Sequence, residues 1–329
     1  MNTAKMAETN TSPTSTVMTG LLFTLAGFAV FSAHDALVKS LSGYSVFQTI
    51  FFAMLFGYLP FSMARVVDGR AVSLRPRHPG LVFLRALAMV GSLCFAFMAF
   101  SMLPLVQAYV LLFTTPLLIS LMAIPVLGEK VGMWRWSMIV LGLVGVLVVL
   151  RPSPERLELG HLLGLLAAFC GAAAAVISRK IGNLENSATL ILVPLIMNIV
   201  VSGGMLYFVY QPMPLQDLSV MFLIGGMALL GQLLVLNGYR RAPAAMVAPM
   251  QYSQLLWAIL YGLLFFNETA DGMVLLGAAI TVLSGILIVW REGKVSSQQP
   301  VLRTRNTRMV GGAAVPGVEV DEADNEFQP

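Results

Sequence analysis

Two charged side chains, Asp35 and Lys39, lie four residues apart near the end of the first long apolar segment. Residues with this spacing share one face of a helix. A carboxylate inside an apolar span costs about 2.5–3.5 kcal/mol on insertion scales, so it normally faces the protein interior and has a partner. One interpretation assigns Asp35 to substrate binding or proton coupling; the other pairs it with Lys39, which extends toward the interface. His34 is a second proton-coupling candidate, with a packed neutral histidine as the alternative.

The ninth apolar segment carries polar and aromatic side chains at helical spacing, Gln251, Gln254, Trp257 and Tyr261. Steps of three and four residues place them on one face of a helix. Amide and aromatic groups together suit a flat polar ligand, which they bind by stacking and directed hydrogen bonds. The alternative is hydrogen bonding between helices, a common role of amides in membranes.

The fourth apolar segment offers an equivalent surface with Gln107, Tyr109 and Thr114. Pro116 and Pro249 are candidate kinks in the fourth and ninth segments, and a kink frees backbone carbonyls that can face a cavity. The candidate substrate-binding residues are Asp35, Gln107, Tyr109, Thr114, Gln232, Gln251, Gln254, Trp257 and Tyr261.

Ten apolar segments must position these residues, and each is near the roughly 20 residues that a membrane-spanning helix needs. They lie at about 18–40, 45–66, 80–100, 104–127, 133–150, 160–180, 187–209, 218–239, 243–266 and 272–291. The chain is 57% hydrophobic and 11% charged, whereas soluble domains are about 25% charged. The composition is therefore that of an integral membrane protein. Because Lys and Arg lie at the ends of apolar runs, the positive net charge indicates lipid contact and not nucleic-acid binding.

The sequence contains an internal repeat. Residues 20–39 read GLLFTLAGFAVFSAHDALVK and residues 161–180 read HLLGLLAAFCGAAAAVISRK, with seven of twenty aligned positions identical. Each copy holds five segments, and because five is odd, the second copy enters the membrane from the opposite side. Such inverted repeats are typical of secondary transporters, which bind substrate between the halves. The predicted fold is all-α, with ten transmembrane helices in two inverted five-helix repeats, 18–150 and 151–291.

Later positions continue the repeat. Pro104 aligns with Pro243, and Glu129 with Glu268, both 139 residues apart. Each Pro begins the fourth helix of its half, and each Glu ends that helix at the membrane edge. These four residues and Lys39 are predicted to have structural or gating roles.

Charge bias predicts the orientation. With the N-terminus inside, only Lys39, Arg151 and Arg156 among the twenty Lys and Arg residues fall outside, as expected from the positive-inside rule. Residues 1–17 and 292–329 are predicted to be cytoplasmic tails, the second one disordered. Arg85, at the start of the third segment, is predicted to be an interfacial anchor, with attraction of an anionic substrate as the alternative.

Several features together resemble the EamA-type transporters of the drug/metabolite transporter superfamily over residues 18–291. They are the two five-helix halves, Asp35-x-x-x-Lys39, Gly128-Glu129, Asn267-Glu268 and Gly142-x-x-Gly145. The resemblance implies cytoplasmic termini and a central cavity lined mainly by helices 1, 3, 4, 6, 8 and 9. It also implies peripheral helices 5 and 10 with a scaffold or dimer role. Members move amino acids, nucleotide-like metabolites, vitamins such as riboflavin, and sugar conjugates.

The resulting functional prediction is a secondary carrier in a bacterial inner membrane that moves a small polar metabolite by alternating access. The aromatic residues favour a vitamin such as riboflavin or a nucleotide-like heterocycle, and an amino-acid or drug-like metabolite exporter is the alternative. A passive channel and a membrane-embedded enzyme are more distant possibilities. The sequence has no Walker A motif and no zinc-ligand spacing, so we expect no metal and no cofactor. The expected partners are a small-molecule substrate, the lipid bilayer and a second copy of the chain.

Overall fold

A computed structural model describes residues 13–58, 76–128, 132–151, 158–182, 184–242 and 244–296. These residues form ten helices in chain order. The first five are α1 Pro13–Ser40, α2 Val46–Ala53 with a π-helical turn at Met54–Tyr58, α3 Pro79–Met102, α4 as Leu105–Leu112 and Thr115–Leu127, and α5 Met133–Leu150. The second five are α6 Leu159–Ile181, α7 Ser187–Val209, α8 Leu215–Arg241, α9 as Ala244–Val247, a 3₁₀ segment Ala248–Ser253 and Gln254–Phe266, and α10 Gly272–Ser296.

Six of the described helices, α1, α3, α4, α6, α7 and α8, are long and apolar enough to cross a membrane. Shorter apolar stretches lie in α2, α5 and α10. Large apolar side chains are exposed along most helices; Tyr207 and Phe208 of α7 are 89% and 77% exposed. Soluble monomers rarely expose contiguous apolar surface of this extent. The chain is thus an all-helical membrane protein.

Contacts between the helices relate the first half of the chain to the second. Helix α1 packs along α8, and α6 packs along α3, which is the same pair with the halves exchanged. Helix α5 packs along α10, α2 contacts α7, and α4 contacts α9. Contacts of α4 with α6 are matched by contacts of α9 with α1. This is the contact pattern of two equivalent five-helix units related by a two-fold axis.

Glycines allow the tightest of these contacts. An added Cβ on Gly277 of α10 would lie 2.5 Å from the carbonyl oxygen of Gly145 in α5. An added Cβ on Gly57 of α2 would lie 2.2 Å from the carbonyl oxygen of Gly225 in α8. Small residues at helix interfaces let backbones approach in this way.

Both α4 and α9 are irregular near their middle. Helix α4 is interrupted at Phe113 and Thr114, directly before the second segment and its Pro116, and α9 is 3₁₀-helical over Ala248–Ser253, which includes Pro249. The kink positions suggested by the two prolines are thus where the helices deviate. Phe113 and Tyr252 are 139 residues apart, and their rings meet edge to face with centroids 5.1 Å apart.

Helix bounds differ from the sequence-based ones at several ends. Helix α1 already begins at Pro13, and α10 continues to Ser296, beyond the boundary expected at 291. Pro104 is the N-cap of α4 and not its first helical residue. Residues 59–66 of the second predicted helix, Glu129, Pro243, and the segments 1–12 and 297–329 lie outside the described residues.

Candidate substrate site

Asp35 is at the centre of a buried polar network between α1, α4 and α9. Its side chain is 2% exposed. One carboxylate oxygen, Oδ1, lies 2.8 Å from His34 Nδ1, and the hydroxyl of Tyr109 donates to the other, Oδ2. Because a buried carboxylate requires hydrogen bonds on both oxygens, these two partners explain how α1 tolerates the acid.

Tyr109 connects this acid to α9. Its hydroxyl has one proton, which is donated to Asp35, so the oxygen accepts from its other neighbours. Those neighbours are Ser32 Oγ at 3.2 Å and Gln254 Nε2 at 3.3 Å. Tyr109 and Gln254 are both fully buried. Three predicted substrate-binding residues, Asp35, Tyr109 and Gln254, are therefore brought together across the two halves.

The predicted alternative of an Asp35–Lys39 ion pair is wrong. Lys39 Nζ lies 2.6 Å from Glu268 Oε1, at the start of the connection from α9 to α10, and also donates to the Leu103 carbonyl. Glu268 Oε2 accepts the backbone N–H of Leu105 at 2.9 Å. One turn of helix separates Asp35 from Lys39, and the sequence gave no means to see that Glu268 comes closer. The ion pair joins the two halves of the chain at one end of the bundle.

Gln107 lies in a different environment, a small cleft at this same end. The cleft has a volume of about 80 Å³ and is lined by Gln107, Glu268 and Asp271 among others. The backbone N–H of Glu158 donates to His161 Nδ1 at 3.1 Å, so the ring proton is on Nε2, which donates to Gln107 Oε1 at 3.2 Å. Gln107 is thus separate from the Asp35 network.

Asp271, beside α10, stabilises the rim of this cleft. Its carboxylate accepts the backbone N–H of Val274 at 2.9 Å and pairs with Arg151 Nη2 at 2.7 Å. The hydrogen bond from Val274 and the nearby guanidinium lower the pKa of Asp271 below its ordinary value.

Helix α9 contains most of the unpaired buried polar atoms near the network. Gln254 Oε1, Ser253 Oγ and Trp257 Nε1 have no hydrogen-bond partner among the described residues, and Gln232 Nε2 of α8 shares this property. Buried polar groups in folded proteins are nearly always hydrogen-bonded, so each exception needs an explanation. A ligand with complementary polar atoms provides one.

The remaining predicted residues take different positions. Trp257 and Tyr261 stack with ring centroids 6.2 Å apart, as their four-residue spacing requires. Gln251 is half-buried on the 3₁₀ segment. Thr114 is buried and donates to the Leu111 carbonyl, where it closes the first part of α4. Its hydroxyl therefore satisfies the helix interruption.

Tyr252 is directed away from these residues. An added Cβ on Gly285 of α10 would lie 1.8 Å from the Tyr252 hydroxyl. The hydroxyl has no hydrogen-bond partner among the described residues. Tyr252 therefore packs between α9 and α10.

Arg85 is not the interfacial anchor that its position at the start of α3 suggested. It is 2% exposed and donates to Ser178 Oγ of α6 at 2.5 Å and to the Leu190 carbonyl of α7 at 2.6 Å. Sequence analysis had no signal for these neighbours, because they belong to the other half of the chain.

Comparisons with known proteins agree with the geometry. The model of the EamA-like transporter family matches residues 18–151 and 158–290. The chain is 28% identical to a riboflavin transporter of Rhizobium johnstonii, covering 88% of this chain and 96% of that one. It is 26% identical to an S-adenosylmethionine uptake transporter of Rickettsia bellii and 27% identical to a pseudopaline exporter of Pseudomonas aeruginosa. Both of these alignments cover 82% of this chain and 92% of the relative.

Proposed function

This chain belongs to the EamA-like transporter family, and from that premise we propose that it is a secondary carrier working by alternating access. In this proposal ten helices cross a bacterial inner membrane as two inverted five-helix repeats, with both termini cytoplasmic. The exchange of α1·α8 contacts for α6·α3 contacts supports the repeat, and the charge bias of the loops supports the orientation. A homodimer stays a prediction.

The observation that carries the proposal is the group of buried polar atoms without partners on α8 and α9, next to the Asp35 network. Gln232 Nε2, Trp257 Nε1 and Ser253 Oγ are donors, and Gln254 Oε1 is an acceptor. A substrate bound there would supply the missing partners. Indole and amide groups in one region suit a small polar molecule with an aromatic ring.

We propose a heterocyclic metabolite as the substrate. A riboflavin transporter and an S-adenosylmethionine uptake transporter are among the relatives, and both printed substrates carry a heterocycle. The pseudopaline exporter among the relatives is the observation that favours the alternative of an exporter.

The Lys39–Glu268 ion pair gives alternating access a structural element. It joins α1 of one half to the end of α9 in the other, with the side chains 13% and 16% exposed. We propose that this pair closes one end of the pathway and breaks when that end opens. At the opposite end, the repeat equivalent of Lys39 is Lys180, which is exposed.

Binding and counterflow measurements test the proposal. Purified protein would be screened for thermal stabilisation by riboflavin, S-adenosylmethionine and amino acids, and any hit would be followed as counterflow in proteoliposomes. Trp257→Ala and Gln254→Ala should raise the half-saturation concentration, with a retained maximal rate. Leu256→Ala is a matched control, because Leu256 is 69% exposed on the same helix. Flux that neither saturates nor shows counterflow would contradict a carrier.

A further inference from the structure

Arg85 is a buried cation at the end of the bundle where α3 begins and α6 ends. The two residues before it, Phe83 and Leu84, are 58% and 50% exposed, whereas Arg85 is 2% exposed. Its side chain therefore points inward between α3, α6 and α7. Its hydrogen-bond acceptors, Ser178 Oγ and the Leu190 carbonyl, are both neutral.

The buried acid at this end of the bundle is engaged elsewhere. Glu185 accepts the backbone N–H groups of Arg77 at 3.0 Å and His78 at 2.5 Å, and it lies 3.2 Å from His78 Nδ1. Among the described residues, Arg85 therefore has no ion-pair partner. By contrast, Lys39, at the opposite end, is paired with Glu268.

The other half of the chain indicates that the scaffold does not need a cation here. With the spacing of 139 residues that relates the two halves, Arg85 corresponds to Ile224 of α8. The flanking residues are identical, Phe222 and Leu223, and they are similarly exposed at 62% and 50%, while Ile224 is fully buried. An apolar side chain thus fills the equivalent position. An arginine that is buried without a counter-charge is costly and is characteristic of functional sites in membrane proteins.

We infer that Arg85 binds an oxyanion, a carboxylate or phosphate group, carried by the transported molecule. The inference rests on the proposed carrier function and narrows its substrate class. A guanidinium has five N–H groups in a rigid fork, and two bonds to Ser178 and Leu190 fix the plane while leaving the other N–H groups for a ligand. A carboxylate or phosphate fits such a fork with two parallel hydrogen bonds.

Inorganic phosphate is the probe for this site. The full-length chain would be placed in phosphatidylcholine nanodiscs, and its unfolding midpoint measured with increasing phosphate against chloride at equal ionic strength. We expect a saturable rise in the midpoint for the wild type, a smaller rise for Arg85→Lys, and none for Arg85→Gln. Lys180→Gln removes a positive charge from an exposed position at the same end, and it should keep the full rise.

Two results would overturn the inference. One is a wild-type midpoint that does not respond to phosphate, which decides the question even where Arg85→Gln fails to fold. The other is an equal loss in Arg85→Gln and Lys180→Gln, which would indicate diffuse surface charge. Counterflow of any hit from the ligand screen is measured in parallel. Retained counterflow together with a negative phosphate result would leave the carrier function standing and remove only the role of Arg85.

Nanodiscs containing phosphatidylglycerol separate the two sources of a phosphate group. If a substrate is the ligand, free phosphate still raises the midpoint in the anionic lipid. If the Arg85-dependent stabilisation comes from phosphatidylglycerol and free phosphate adds nothing in either lipid, the occupant is a headgroup and the inference fails.

Discussion

The two ends of the helical bundle treat charge in opposite ways. Where α1 ends, Asp35 is held by His34 and Tyr109, and Lys39 is paired with Glu268 across the two halves. Where α3 begins, Arg85 has only neutral partners. Since removing a charge from water is repaid only by good partners, the first end is compensated and is suited to stay closed. The second end retains an attraction for an incoming anion.

The largest effect is expected from Asp35→Asn. The amide can still accept from Tyr109, but it cannot carry a charge or exchange a proton. We expect transport in proteoliposomes to be lost, or its pH dependence to disappear, while the amount of folded protein is unchanged. Asp271→Asn, which removes a carboxylate at the same end outside the network, is the control. Unchanged flux at every pH would exclude Asp35 from the mechanism.

Charge reversal tests whether the compensated end works as a pair. Coupling between contacting residues amounts to about 0.5–3 kcal/mol, so Lys39→Glu and Glu268→Lys should each lower flux several-fold. The double exchange restores opposite charges and should recover part of the activity. Rates that fall additively in the double variant would show that the two side chains act independently.

Close packing in the half without a buried cation gives a smaller effect. An added Cβ on Gly225, next to Ile224, would lie 2.7 Å from the Ala53 carbonyl oxygen, whereas Gly226 has nothing within 4 Å. Overpacking typically costs about 1–3 kcal/mol, so Gly225→Ala should lower the unfolding midpoint and Gly226→Ala should not. Equal midpoints would mean that the contact of α8 with α2 adapts without cost.

The smallest effect concerns acid stability at the end that contains Arg85. Burial opposes ionisation of Glu185, but hydrogen bonds from the N–H groups of Arg77 and His78 outweigh it and lower the pKa of this carboxyl. A lowered folded-state pKa stabilises the protein above the ordinary glutamate pKa of about 4.3, and this stabilisation is lost as the pH falls through the folded value. Glu185→Gln should therefore flatten the fall of the unfolding midpoint below pH 5. An unchanged acid profile would assign the loss to other groups.

Sequence reasoning reached the helices and the candidate region, but not the contacts. Apolar runs of near-spanning length predicted all ten helices, because lipid leaves a chain few other structures. The stacking of Trp257 on Tyr261 follows from their spacing alone. The partner of Lys39 was missed, because Asp35 is nearer in sequence while Glu268 is nearer in space.

Local periodicity and composition therefore determined which residues are helical, which faces are polar and which positions repeat between the halves. Those properties depend on neighbours within a few residues and on the low tolerance of lipid for polar groups. Only the tertiary structure decided that Asp35 joins Tyr109 and Gln254, that Lys39 joins Glu268, and that Arg85 is buried without a counter-charge. Each of these contacts joins residues far apart in the chain, and helix packing sets their distance.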